Sequence, residues 1–176
     1  WIHPTNGNFI IDGNDGGIAI TRDRGKNWQF DEKLPLGQFY HINVDNNIPY
    51  NVMGGLQDNG SWHGPAYVWR QSGIRNAFWQ GVSGGDGFDV MPDAEDANWV
   101  YSMSQGGSVG RYNIATGERW SIRPPTTASG IRQRFNWNAA IAQDPFDKKT
   151  IYYGSQMLNM STDKGVSWSQ ISGDLT

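Results

Sequence analysis

The chain of 176 residues has no cysteine, which excludes a disulfide framework and any thiolate metal site. No apolar run approaches the roughly 20 residues that a membrane-spanning helix requires. The opening Trp1-Ile2-His3-Pro4 lacks a basic start followed by an apolar stretch, so no signal peptide is predicted. An initiator Met is missing too, and the true start is expected further upstream. Basic charge is in deficit: 14 Lys and Arg face 17 Asp and Glu, a net charge of -3. The basic residues are scattered, and Arg132-Gln133-Arg134 is their nearest approach to a cluster. Nucleic acid is therefore a poor partner, because its phosphates reward clustered cations. The histidines His3, His41 and His63 lack the paired spacing of a zinc site. The carboxylates do not alternate as in a calcium-binding helix-loop-helix, and no nucleophile elbow or phosphate-loop lysine is present.

What remains is a chain rich in glycine and aromatics, with 23 Gly and 9 Trp, and poor in helix-forming residues. That balance predicts an all-β protein. Thr21-Arg22-Asp23-Arg24-Gly25-Lys26-Asn27-Trp28 and Ser161-Thr162-Asp163-Lys164-Gly165-Val166-Ser167-Trp168 share the pattern S/T-x-D-x-G-x-x-W, 140 residues apart. A short apolar strand precedes each copy, at residues 9–13 and 150–154. Weaker copies of that strand lie at 48–54 and 98–102, each followed by a turn, at 57–60 and 104–107. Every unit opens with a polar turn, at 4–7, 45–47, 92–95 and 144–147. The 140-residue offset spans about three periods of a 40–50-residue repeat. The spacing predicts a β-propeller segment of about four four-stranded blades, with approximate boundaries 1–37, 38–82, 83–133 and 134–176. The first blade is expected to lack most of its inner strand, and the segment to belong to a larger propeller.

The S/T-x-D-x-G-x-x-W pattern resembles the Asp-box, or bacterial neuraminidase repeat, of sialidases, xyloglucanases and sortilin receptors. Further phrases are similar to large bacterial proteins with sortilin-like propellers: 13–17, 34–40, Gly55-Leu56-Gln57-Asp58-Asn59-Gly60, Gly84 with Asp86-Gly87-Phe88-Asp89, 134–138 and 171–176. The resemblance implies a secreted or cell-surface bacterial protein that binds a peptide, protein or glycan, its partners including the remaining blades of a longer chain. The box itself reads as structural. Asp23 and Asp163 are placed to accept backbone N–H groups in a tight turn. Gly25 and Gly165 supply positive φ, and Trp28 and Trp168 start the next strand and pack between blades.

In a propeller the loops alternate between two faces. The box turns share one face with the first-to-second turns. The other face is expected to gather the second-to-third loops 13–17, 57–60, 104–107 and 154–156, with inter-blade connections at 34–38, 72–87 and 124–133. The predicted ligand-binding residues on that face are Asp15, Gln57, Asp58, Asn59, Arg75, Asp86, Gln105, Arg134, Trp137 and Gln156. Each has a structural alternative: Gly-Asp stretches form turns unaided, Trp79 and Trp137 suit interblade packing, and Arg75 and Arg134 suit ion pairs with Asp58 or Asp86.

A glycoside hydrolase needs two carboxylates about 5–9.5 Å apart, and Asp58 with Asp86 or Asp89 is the candidate catalytic pair. Glu32, Glu95 and Glu118 map to turns or strand ends away from the favoured face, against a sialidase. No cofactor is expected; calcium among Asp86, Asp89 and backbone carbonyls is the one metal reading left open. Three functions follow: a binding module at the channel face, a carbohydrate-active hydrolase, and a structural module of a surface assembly.

Overall fold

The computed structural model describes all residues except 32, 33, 35 and 127–129. Glu32, and parts of the expected connections 34–38 and 124–133, lie outside the described residues. The chain divides into two compact units, Trp1–Gly37 and Gln38–Thr176.

The first unit is a three-stranded antiparallel sheet of β1 (Ile10–Asn14), β2 (Gly17–Thr21) and β3 (Gln29–Asp31). A single bridge between Ile2 and Ile10 stands where a fourth strand would begin. This is the truncated inner strand expected from the sequence.

The second unit holds three four-stranded antiparallel sheets in simple up-and-down order. The first comprises β4 (Phe39–Val44), β5 (Asn51–Leu56), β6 (Gly60–Pro65) and β7 (Gln80–Ser83). The next comprises β8 (Val90–Pro92), β9 (Trp99–Ser104), β10 (Ser108–Asn113) and β11 (Arg119–Ser121). The last comprises β12 (Ile141–Gln143), β13 (Ile151–Gly154), β14 (Leu158–Ser161) and β15 (Ser169–Gln170). The described helix is limited to 3₁₀ turns at Asn76–Phe78 and Gln105–Gly107. None is long or apolar enough to cross a membrane.

Alternating side chains explain how the sheets stack. Met53 and Val82 from β5 and β7 pack with Val90, Val100 and Tyr112 from β8–β10, forming one core layer. The opposite face of β8–β10 presents Met91, Tyr101, Met103 and Val109 to Ile151 and Tyr153 of β13. Each fully buried aliphatic or aromatic side chain contributes about 1.5–3 kcal/mol.

Both copies of the S/T-x-D-x-G-x-x-W turn join a third strand position to a fourth. Asp163 accepts from the Ser167 amide at 2.8 Å and the Ser161 hydroxyl at 2.7 Å, while the Gly165 amide donates to Ser161 Oγ at 2.7 Å. Asp23 likewise accepts from the Asn27 amide at 2.9 Å and the Thr21 hydroxyl at 2.8 Å, while the Gly25 amide donates to Thr21 Oγ1 at 3.0 Å. The Asn27 amide, the Asn27 side chain and the Thr21 hydroxyl lower the Asp23 pKa to about 2. Gly25 and Gly165 have φ of 84° and 90°, where a side chain is strained. The Trp168 indole packs against the core of its neighbouring sheet and donates to the Ile122 carbonyl at 2.8 Å. Trp28, expected to pack in the same way, is 48% exposed.

Candidate functional site

In an up-and-down sheet alternate connections lie at opposite ends. In the second unit, one end therefore gathers the turns after β5, β9 and β13 together with the connections β7–β8 and β11–β12. Gln57, Asp58, Asn59, Asp86, Gln105, Arg134, Trp137 and Gln156 all belong to this end, as expected.

Asp58 sits at φ 61° in the β5–β6 turn. Its amide donates to Asp86 Oδ1 at 2.8 Å, and Gly60 N donates to the Gly85 carbonyl at 2.8 Å. Gly87 N donates back to Leu56 at 2.9 Å. Backbone lies on backbone here: a Cβ on Gly55 would strike the Gly87 carbonyl, and one on Gly87 would strike Gly60. The glycines of this stretch admit the neighbouring chain.

The Asp86 carboxylate has a second donor, the Trp137 indole N–H at 3.1 Å. The Trp137 carbonyl accepts from Gly106 N at 3.3 Å, which ties the β11–β12 connection to the β9–β10 turn. Gly107, at φ 82°, leaves room for the Phe135 ring beneath. Trp137 is thus held at both its backbone and its indole nitrogen yet is 59% exposed. Gln105 presses its amide against Gly85 on the same rim. The Asp58 carboxylate is exposed and makes no hydrogen bond or ion pair to described residues. Gln57 and Asn59 complete the turn: Gln57 N donates to Gln38, and the Asn59 side chain donates to the Gln57 carbonyl at 3.1 Å.

Arg75 and Trp79 are placed elsewhere, while Arg134 and Gln156 lie at the expected end with protein partners. Arg75 and Trp79 lie between β6 and β7, a third-to-fourth loop at the opposite end of the strands. The β7–β8 connection begins only after Ser83, so the expected inter-blade connection 72–87 was a strand too early. Trp79 covers Gly64 and is a packing residue. Gln156, at 2% exposure, accepts from Arg134 N at 2.7 Å and donates to the Arg132 carbonyl at 3.1 Å; it is a buried strut with no free polar group for a ligand. Arg134 pairs with Asp174 at 3.1 Å rather than with Asp58 or Asp86. Asp15 lies in the exposed β1–β2 turn of the first unit.

The carboxylates proposed as a catalytic pair fare unequally. Asp86 is 7% exposed with an N–H on each oxygen, and Asp89 accepts from the Asn43 side chain at 2.6 Å. These donors tie both oxygens of Asp86, and one oxygen of Asp89, to the fold. The same occupancy disfavours calcium between Asp86 and Asp89, and no group of three His, Asp or Glu among the described residues is arranged to hold a metal ion.

The opposite end carries a device that the sequence reading passed over. Asp45, Asp93 and Asp144 each follow a first strand, and each takes backbone N–H donors two to six residues ahead. A backbone bond closes each loop: Asp45 to Asn51, Asp93 to Trp99 and Asp144 to Thr150, with His3 to Phe9 as the counterpart in the first unit. Asp93 has grown into an ion cluster, with Arg111 at 3.2 Å on one oxygen and Lys164 at 2.8 Å on the other. Lys164 also reaches Glu95 at 2.8 Å, and Tyr101 donates to Asp93 at 3.2 Å. Burial raises the Asp93 pKa, but the Lys164 bond and the backbone donors outweigh it and hold the carboxyl below its ordinary value. Tyr101 is pushed up by burial first and by the Asp93 charge second. The available signal was a Tyr eight positions after Asp93 and again after Asp144, where Tyr152 donates at 2.7 Å.

No family model matches the chain, and no curated protein does. Among solved structures, the Niastella koreensis GH74 enzyme superimposes with a TM-score of 0.53 at 13% identity, over 96% of this chain and 28% of that one. The extracellular domain of the putative one component system BT4673 from B. thetaiotaomicron gives 0.52 at 16% identity, over 96% of this chain and 21% of that one. The likeness shows the fold, a β-propeller of antiparallel four-stranded sheets. The chain spans less than a third of either structure.

Proposed function

We propose that this chain is a recognition module, four consecutive blades of a larger Asp-box propeller, that binds a peptide, protein or glycan at the end where Asp58 and Trp137 meet. The observation that carries this reading is the Trp137 side chain, 59% exposed yet anchored through its indole to buried Asp86. An aromatic plane that is already immobile loses little entropy when a ligand stacks on it. Rigid Trp side chains with one polar end are favoured contact residues for this reason. Asp58, whose amide shares Asp86 with that indole, offers an exposed carboxylate that makes no hydrogen bond or ion pair to described residues. The sortilin-like resemblance supports an extracellular or surface setting in a bacterium, with the remaining blades as partners.

Glycan and peptide arrays probed with the wild-type chain and with Trp137→Ala test the reading. Binding that falls at least tenfold in the variant supports it. Binding equal in both places the ligand elsewhere, and no binding on either array leaves the structural module as the better account. Against the hydrolase reading stand the N–H donors on both oxygens of Asp86 and on one oxygen of Asp89.

A further inference from the structure

A cleft of about 190 Å³ opens between β7 of one sheet and the face of β9–β11 of the next. Its origin can be read along that face. The row Val100–Tyr112 is packed into the core between the sheets. The following row, Ser102–Gly110–Ser121, is small on all three strands, and Ser104–Ser108 comes after it. The wedge between the sheets is therefore filled at one end and left open at the other.

The walls are mixed: five serines, Ser83, Ser102, Ser104, Ser108 and Ser121, line the cleft beside Val82, Val109 and Trp120. Ser102 is only 5% exposed, yet its hydroxyl makes no hydrogen bond to described residues. The Ser83 hydroxyl is buried with no hydrogen-bond partner among the described residues. A hydroxyl of low exposure without a partner is costly, so a ligand group that reaches Ser102 gains a hydrogen bond that the described residues leave unmade. The space exceeds the 10–15 Å³ or so that one water needs and falls below the roughly 300–1,000 Å³ of drug-sized ligands.

We propose that this cleft binds a single neutral sugar residue, at a site separate from Asp58 and Trp137. Serine hydroxyls both donate and accept, and so match a ligand whose own groups do both. An anion would require converging cations. Two arginines stand at the cleft, and both are committed: Arg111 pairs with Asp93 at 3.2 Å, and Arg119 donates to the Gly81 carbonyl at 3.1 Å while lying over the Tyr112 ring.

The test is a ¹H–¹⁵N titration with the methyl glycosides of glucose, galactose, mannose and xylose. Saturable shifts are expected at the amides of Ser83, Ser102 and Gly110 for at least one of them. Ser102→Val, which exchanges the hydroxyl for a methyl, is expected to weaken binding about tenfold, the worth of one hydrogen bond. Ser121→Val provides the same reading should Ser102→Val fail to fold, and Trp137→Ala should leave these shifts unchanged. Absence of shifts in the folded wild type, shifts undiminished in both serine variants, or binding of methyl glucuronide alone overturns the assignment.

Discussion

Trp137 donates its indole N–H to Asp86 at 3.1 Å, joining two inter-sheet connections 51 residues apart. The other oxygen of Asp86 receives the Asp58 amide. One buried carboxylate thus sets both the orientation of an exposed ring and the shape of the turn beside it.

Asp86→Ala is accordingly expected to orphan the Asp58 amide and release the indole, with a loss of about 1–3 kcal/mol. Urea unfolding gives the stability change. Hydrogen exchange at the Asp58 amide reports the local one, and protection as strong as in wild type would show that Asp86 does not hold the turn.

Asp93→Asn is expected to be the most damaging single charge change, at about 3–5 kcal/mol, because it leaves Lys164 and Arg111 without their buried counter-charge. The pH dependence has a definite sign. A carboxyl whose folded pKa is depressed stabilises above its unfolded value and loses that contribution as pH falls through the folded value. Wild-type stability should therefore decline below the ordinary carboxylate range. An acid profile equally steep in Asp93→Asn would remove Asp93 as the cause.

Gly165→Ala is expected to cost about 1–3 kcal/mol. The added methyl at φ 90° meets the Ile122 side chain at 2.7 Å. Thermal melts of Gly165→Ala and of Gly173→Ala, where nothing lies near the added methyl, separate this contact from a general glycine effect.

Gln156→Leu is expected to cost about 1–3 kcal/mol by leaving Arg134 N and the Arg132 carbonyl unpaired. Array binding by the variant, measured below its melting temperature, should match wild type, since the amide faces inward. Selective loss of binding would return Gln156 to the site.

The fold was legible because its signals are local and repeated. The spacing of strand, turn and S/T-x-D-x-G-x-x-W fixes a sheet of a given size, and Asp23 and Asp163 accept within four residues of themselves. What could not be read is pairing at long range. The bond from Trp137 to Asp86, the clasp of Lys164 on Asp93 and the packing of Phe135 against Gly107 join residues with no local reason to meet. Arg75 was misplaced because the β6–β7 loop is unusually long, and a long polar stretch looks alike within a sheet or between two. Gln156 was misread because an amide in a turn has the same letters whether it points inward or outward.

The left-handed backbone of Asp58 has a consequence for how this surface can change over time. At φ 61° the readily tolerated residues are Gly, Asn and Asp. Gly55, Gly60 and Gly87 lock the turn in place, since a side chain on any of them strikes neighbouring backbone. Mutation at position 58 is therefore confined to a short menu: a charge, a neutral amide, or nothing. On the proposed reading of this end as the binding site, such changes would switch ligand preference in discrete steps, between cationic and neutral, rather than by gradual drift.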